Sequence, residues 1–355
     1  MSGESGFQPI GIRQAIKRLV EGINLDEAEA AAAMVDVMDG VATPAQVAAF
    51  MTALRMKGET IDEITGCARV IREKATRIRP DVPMLVDTCG TGGDGANTFN
   101  ISTTAAFVVA GAGLSVAKHG NRSVSSRCGS ADVLDALGIR IDLEPDEVEA
   151  SICRVGMGFL FAPTFHKAMS HAIGPRRELG VRTVFNLLGP LTNPAHADVQ
   201  VVGVYEAYLT APLAHVLARL GVREALVVHG LDRLDEISIS SPTQVSHMKN
   251  GEVVNYNIRP EDGGLRTLSH ESIAGEDALT NARITMDVLQ GVRGPCRDVV
   301  LLNAGAALHV AGLVADLREG VQLAGEVIDS GQALAKLKDL RDFTNSCSSS
   351  LREAR

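Results

Sequence analysis

Tryptophan is absent from this chain, and aromatic residues of all kinds make up only 3% of it. The core must therefore rest on Ala, Val, Leu and Ile. No Cys-x-x-Cys pair occurs among the six cysteines Cys67, Cys89, Cys128, Cys153, Cys296 and Cys347, which removes the usual zinc spacings and speaks against a disulfide scaffold. A basic surplus is missing too. The formal net charge is -9, whereas a general nucleic-acid binder needs a basic face to neutralise phosphates. No stretch approaches the roughly 18 apolar residues of a spanning helix, and the opening MSGESGFQPIGIRQ lacks an apolar h-region. Together these absences predict a cytoplasmic protein with neither a nucleic-acid nor a membrane partner.

What is present is an ordinary apolar content of 45% and 35 glycines, over 355 residues. That length predicts two domains, and that many glycines predict frequent turns and close backbone approaches. Residues 8 to about 78 read as about four helices. Asn24-x-x-Glu27, Thr43-Pro44-x-Gln46 and Thr60-x-x-Glu63 each fit a capping box. Apolar residues recur between them at helical spacing, with alanine frequent enough for close packing of the bundle against itself or against a second subunit.

After Pro83 short apolar runs alternate with helical patterns. Strands are expected at Met84–Val86, Leu114–Ala117, Ile139–Ile141, Gly158–Phe161, Val199–Val204, Ala225–Val228 and Ile237–Ile239. Helices are expected at Thr103–Ala112, Ala131–Leu137, Asp146–Val155 and Ala211–Leu220. This alternation predicts an α/β domain with a central, mostly parallel sheet flanked by helices. The expected division is a helical domain over 1–80, joined by an inserted helical segment at about 165–195, and an α/β domain over 81–164 and 196–345. The Ser-rich end, 346–355, reads as a disordered tail.

Gly90 to Gly95, GTGGDG, matches the dinucleotide fingerprint G-x-G-x-x-G and lies between a strand and a helix. The ribose-binding acid expected about 20 residues later is missing, because no carboxylate occurs between Asp94 and Asp132. Asn100-Ile101-Ser102-Thr103 opens the next helix, where unpaired amides and a partial positive charge favour a phosphate. On its own that run would read as a plain Ser/Thr cap. Coupled to the glycine loop, it reads as a phosphate site.

Lys118 to Arg127, KHGNRSVSSR, concentrates cations, hydroxyls and an amide without one acid. Such a loop can form an anion-binding nest, with Lys118 as a point charge. Two loops of this kind at successive strand ends suggest a ligand with two phosphate groups. Asp235-Glu236 supplies the opposite charge beyond the strand Ala225–Val228. An Asp-Glu pair is often solvated surface; at a strand end it can hold a hard cation against ligand phosphates. The basic cluster Arg176-Arg177-Glu178 to Arg182 either closes surface salt bridges or forks onto a carboxylate.

In order along the chain, these segments resemble the anthranilate phosphoribosyltransferases. The matching pieces are DTCGTGGDG (87–95), NIST (100–103), KHGNRSVSS (118–126) and GSAD (129–132). RRELGVRTVFNLLGPLTNP (176–194), HGLDRLDEIS (229–238) and RDVVLLNAGAAL (297–308) follow. The resemblance spans nearly the whole chain. Cys89, Cys128 and Ser123-Val124 depart from the pattern as tolerated variation. It implies hinged helical and α/β domains, homodimers formed through the helical domain, and transfer of a 5-phosphoribosyl group from phosphoribosyl pyrophosphate to anthranilate with Mg²⁺, two ions per subunit.

Carried over by motif, phosphoribosyl pyrophosphate would meet Gly90, Gly93, Asp94, Thr98, Asn100, Ile101, Ser102 and Thr103. It would also meet Lys118, His119, Gly120, Asn121, Arg122, Ser123, Val124, Ser125, Ser126 and Ser130. Ser102, Asp235 and Glu236 would be the metal ligands. Gly90, Asn121 and Arg176 would meet anthranilate, with His119, Pro163, His166 and Gly189 lining its path. No residue is assigned as general acid, general base or nucleophile. Two alternatives stay open. Pyrimidine nucleoside phosphorylases share the K-H-G-x-R-x-x-S-S core but lack GTGGDG followed by NIST, and a catalytically silent paralogue would bind nucleic acid.

Overall fold

The computed structural model describes residues 10–123 and 127–353, with side chains as far as 347. Helices α1 (Ile12–Val20), α2 (Glu27–Met38), α3 (Pro44–Lys57) and α4 (Ile61–Lys74) come first. Then follow β1 (Leu85–Gly90), α5 (Ile101–Gly111), β2 (Ser115–Gly120), α6 (Ser130–Ala136), α7 (Pro145–Val155), β3 (Met157–Phe161) and α8 (Ala162–Phe165). Next are α9 (Ser170–Leu179), α10 (Val184–Leu191), β4 (Val199–Gly203), α11 (Thr210–Arg219), β5 (Glu224–Gly230), β6 (Thr243–Lys249) and β7 (Glu252–Ile258). The chain closes with α12 (Ala278–Leu289), α13 (Pro295–Val310), α14 (Leu317–Asp329) and α15 (Gln332–Glu353).

Contacts divide the chain into two units. One comprises Met1–Ala75 and His166–Thr192, the other Thr76–Phe165 and Asn193–Arg355. In the helical unit the Thr43–Gln46 and Thr60–Glu63 boxes form as their spacing predicts. The first box differs: Asp26 caps α2 with Glu29, not Asn24 with Glu27. Glu27 instead lies in the first turn, where its carboxylate bonds Arg69. Glu63 also reaches beyond its own cap. It accepts the Leu25 amide at 3.0 Å and pairs with Lys57 at 3.0 Å, which ties the start of α2 to the α3–α4 turn. Close packing of α2 on α4 depends on Gly66, since a Cβ there would run into the Glu27 carbonyl.

The second unit is built on a seven-stranded sheet of order β3-β2-β1-β4-β5-β6-β7. The first five strands are parallel, and β6 and β7 are antiparallel. Alternate strand residues enter opposite cores. Val86, Val116 and Phe159 join the cluster with α5 and α13, while Leu85, Ala117 and Leu160 join another with Val148 and Ile152 of α7. Both faces are thus covered, as a parallel sheet requires.

Two expected strands are absent. Ile139–Ile141 finds no neighbouring strand: the Ile139 amide donates to Leu134 O and the Arg140 amide to Thr344 Oγ1. Ile237 is likewise held by a side chain, with Asn303 accepting its amide at 2.9 Å and donating to its carbonyl at 3.0 Å. Conversely, the β6–β7 hairpin was not anticipated. Its turn, Asn250-Gly251, has φ of 52° and 84°, the positive values that favour Asn-Gly in hairpins. Residues 346–353, read as part of a disordered tail, instead continue α15. Extending a helix already packed through Ala333, Leu337 and Leu340 costs far less than nucleating one.

Candidate active site

In the sheet, β1 has β2 on one side and β4 on the other, so the chain order reverses at β1. Ligands of open α/β sheets gather beyond strand C-termini at such a point. The glycine loop leaves β1 there and crosses the end of β4, with the Thr91 amide donating to Gly203 O at 2.9 Å. It then meets the loop after β5. The Gly92 amide donates to Asp235 Oδ2 at 2.7 Å, and the Asp235 amide donates to Asp94 Oδ2 at 3.2 Å. Glu236 turns to α5, where its Oε1 accepts the Ser102 amide at 3.1 Å. A carboxyl oxygen therefore takes one amide of the α5 N-terminus, where the helix dipole favours negative charge.

Three carboxylates converge here: Asp94, Asp235 and Glu236. Burial, then the Asp94 and Glu236 charges, push Asp235 well above the ordinary carboxylate range. Burial raises Glu236 to about 7, against the pull of Lys118 and of its hydrogen bonds to Ser102. Negative charge at this point is under-compensated, which suits a cation. Among the described residues no three His, Cys, Asp or Glu side chains form a ready-made metal cage. That donor set fits Mg²⁺, which keeps several waters and takes one or two carboxylates together with substrate phosphates.

Two glycines allow this meeting. A Cβ at Gly90 would lie 2.6 Å from Asp235 Oδ2, and one at Gly203 would collide with the Asp235 carbonyl. Gly203 was missed in the sequence. Its signal is a glycine inside the apolar run Val199–Val204, the mark of a close backbone approach in a strand.

The remaining residues expected at a phosphate site divide by environment. Ile101 and Thr103 are buried at 1% exposure each, so they offer backbone rather than side chains. Asn100 spans to α12 and to the loop before α6, accepting from Asn281 Nδ2 at 3.0 Å and donating to Cys128 O at 3.3 Å. Thr98 forms a bridge with Ala274, and Gly93 adopts φ 77°. Lys118 is not a loop residue: it lies in β2, 1% exposed, and donates to Thr88 O at 2.6 Å. His119 follows it in β2 and is also buried.

Beneath the loop, Asp87 has no exposed surface and accepts from Asn193 Nδ2 at 2.8 Å and from the His119 amide at 3.3 Å. Burial raises its pKa, with Lys118 and Asn193 opposing. No local signal marks Asn193 as its partner.

The basic loop is pinned by an acid that the sequence places outside it. Asp132 accepts the Ser123 and Gly129 amides at 3.0 and 2.9 Å and pairs with Arg122 at 2.8 Å. Arg122 also reaches Asp135 at 3.2 Å, while Asn121 is exposed. Gly120 packs so tightly that a Cβ would strike Ser130 Oγ. Val124, Ser125 and Ser126 lie outside the described residues.

Of the residues expected to meet anthranilate, Gly90, His119, Asn121 and Pro163 belong to the α/β unit, and His166, Arg176 and Gly189 to the helical unit. Arg176 stacks its guanidinium over the Phe185 ring, 5.3 Å from its centroid. Burial lowers His166 to about 4, so its ring is neutral at physiological pH.

The glycosyl transferase family, a/b domain, matches residues 82–334, and the helical bundle domain of the same family matches residues 13–75. An anthranilate phosphoribosyltransferase of Symbiobacterium thermophilum is 60% identical over 334 residues, covering 94% of this chain and 98% of the relative. One of Acetivibrio thermocellus is 55% identical over 335 residues, covering 94% and 97%. The crystal structure of anthranilate phosphoribosyltransferase from Thermus thermophilus superimposes with a TM-score of 0.89 at 44% identity, covering 93% of this chain and 99% of that one. The Saccharomyces cerevisiae enzyme in complex with PRPP and Mg gives 0.85 at 29% identity, covering 94% and 98%. With the glycine loop, the α5 N-terminus and the Asp235–Glu236 loop meeting beyond the C-terminal ends of β1 and β5, and with relatives this similar over nearly its full length, this chain belongs to the anthranilate phosphoribosyltransferase family.

Proposed function

We propose that this chain transfers the 5-phosphoribosyl group of phosphoribosyl pyrophosphate to the amine of anthranilate, with Mg²⁺. The products are N-(5-phosphoribosyl)anthranilate and pyrophosphate, in tryptophan biosynthesis. The observation that carries this reading is the convergence of Asp94, Asp235 and Glu236 on the glycine loop and the start of α5. In the reaction the ribose C1–O bond to pyrophosphate breaks, a C1–N bond forms, and the amine nitrogen loses a proton. Its transition state has oxocarbenium character, so positioning and charge neutralisation contribute more than a strong base.

Ser102, Asp235 and Glu236 would hold Mg²⁺, at two ions per subunit. The metal supplies charge neutralisation for the leaving pyrophosphate. Glycine-loop amides and the α5 N-terminus orient phosphate oxygens, and the segment Lys118 to Ser126 adds positive charge. Thr98, Asn100, Ile101, Thr103 and Ser130 complete the phosphoribosyl pyrophosphate set. Arg176 forks onto the anthranilate carboxylate, with Gly90, His119, Asn121, Pro163, His166 and Gly189 shaping its passage. A neutral, buried His166 suits a lining role better than that of a cation.

The chain acts as a homodimer through its helical unit. Support comes from an apolar groove lined by Leu19, Val20, Ala49, Ala53 and Met56, in which Val20 and Met56 are 73% and 82% exposed. We place it in the cytoplasm. Among the described residues no helix is long and apolar enough to cross a membrane, and all six cysteines are free.

The test is loss of anthranilate fluorescence on adding both phosphoribosyl pyrophosphate and Mg²⁺. Unchanged fluorescence, alongside phosphorolysis of a pyrimidine nucleoside, would replace this reading with a phosphorylase.

A further inference from the structure

One side chain outside the matched motifs touches both loops of the site. His270 opens a short helical turn, His270–Ile273, and its ring lies between the glycine loop and the carboxylate loop. Nε2 is 3.1 Å from Ala96 O, and Nδ1 is 3.4 Å from Asp232 Oδ2. A carbonyl can only accept, so Nε2 donates to Ala96.

Both contacts sit one step from the carboxylates. The Ala96 amide donates to Asp94 Oδ1 at 3.1 Å, and Asp94 Oδ2 accepts the Asp235 amide at 3.2 Å. Asp232 stands three residues before Asp235 and closes that loop on itself. Its Oδ2 accepts from Ser238 Oγ at 2.7 Å and from Ser240 Oγ. Ser238 in turn accepts the Ser240 and Ser241 amides at 3.0 and 3.1 Å. The result is a chain of contacts from His270 through Ala96 and Asp94 to Asp235, with three residues of backbone leading back to Asp232 and one imidazole joining the ends.

The backbone beside this circuit is fastened separately. The Gly275 amide donates to Asn97 O at 2.8 Å and the Phe99 amide to Ile273 O at 3.3 Å. These bonds hold the segment 273–275 against residues 97–99, so losing the imidazole frees the loop tips without detaching the segment.

We propose that His270 is a positioning residue that sets the spacing between the glycine loop and the Asp235–Glu236 loop, and through it the affinity for phosphoribosyl pyrophosphate with Mg²⁺. This rests on the phosphoribosyl pyrophosphate reading of the same loops. An imidazolium suits the task because it is a rigid ring with an N–H on each of two opposite nitrogens, so in its protonated form it donates to a carbonyl and to a carboxylate at once. An aliphatic residue would fill the gap and leave both oxygens without this partner. Small misplacements of binding groups have large effects on the chemistry they support.

The test compares wild type with His270→Ala and His270→Gln, whose amide can still donate to Ala96 O. Calorimetric titration with phosphoribosyl pyrophosphate and Mg²⁺ should show about tenfold weaker binding by His270→Ala. His270→Gln should recover most of that loss, and the anthranilate KM of His270→Ala should stay within about twofold of wild type. Hydrogen exchange on the ligand-free proteins should be faster over 90–97 in His270→Ala. Wild-type affinity in folded His270→Ala overturns the proposal, as do unchanged exchange rates or a His270→Gln no better than the alanine variant. If His270→Ala does not fold, Asp232→Asn is read the same way: weaker binding is expected, and unchanged binding counts against the clamp. A wild type that binds phosphoribosyl pyrophosphate but leaves anthranilate fluorescence unchanged sinks the acceptor reading alone. If wild type binds none, the substrate reading fails, and the exchange rates still decide the clamp.

Discussion

Asp235 and Gly92, 143 residues apart in sequence, are joined by a 2.7 Å hydrogen bond from the glycine amide to the carboxylate. The bond brings the acidic loop after β5 onto the glycine loop after β1. Replacing both Asp235 and Glu236 by alanine should lower Mg²⁺-dependent turnover about a thousandfold. Steady-state assays across a Mg²⁺ titration check this, and near-normal rates in the double variant would remove these residues from the metal site.

The same meeting depends on Gly203. Gly203→Ala would drive a methyl into the Asp235 carbonyl, displacing the loop by a fraction of an ångström or more. Turnover should fall about a hundredfold, with a stability loss of about 1–3 kcal/mol from overpacking. Assay and urea denaturation read the two effects separately; full activity would mean that the loop tolerates the shift.

Arg176→Lys keeps the charge but loses both the planar fork and the stack on Phe185. The anthranilate KM should rise about tenfold, and the phosphoribosyl pyrophosphate KM should hold within about twofold. An unchanged anthranilate KM counts against this role.

Acidity gives a fourth expectation. The folded protein holds Glu236 at about 7, above its ordinary 4.5, and Asp235 is raised as well. Without metal, the folded state therefore binds more protons than the unfolded chain between these values. The associated stability is complete below about 4.5 and disappears as pH rises through about 7. Mg²⁺ neutralises the ionised pair, so it should raise Tm more at pH 8 than at pH 6. Thermal melts with and without Mg²⁺ decide it, and equal gains at both pH values would contradict it.

Asn193→Ala removes the amide that serves Asp87 at 2.8 Å and Ala117 O at 2.8 Å. Both oxygens lie in the interior, so stability should drop by about 2–3 kcal/mol. The urea midpoint measures it, and a change under about 0.5 kcal/mol would show that water replaces the amide.

Much of this protein was legible in one dimension, because its signals are local. The boxes at Thr43 and Thr60 are spaced by the helix itself, and the proposal of a phosphate site at GTGGDG and NIST rests on backbone freedom and helix ends. Even the unanticipated hairpin had a local mark in Asn250-Gly251. Local composition misleads where an apolar triplet finds a partner far along the chain. Ile237–Ile239 has the composition of a strand, yet Asn303 of α13 holds its backbone.

The sequence by itself determined the helical start and the parallel α/β pattern, and it singled out the glycine-rich and acidic loops as candidates. It could not determine which loops meet, that Lys118 is buried in β2 while Asp132 pins Arg122, or that His270 bridges Ala96 and Asp232. Those relationships are set by strand order and by the space two glycines leave for Asp235. They join residues far apart in the chain, and no local preference encodes a distance across the fold.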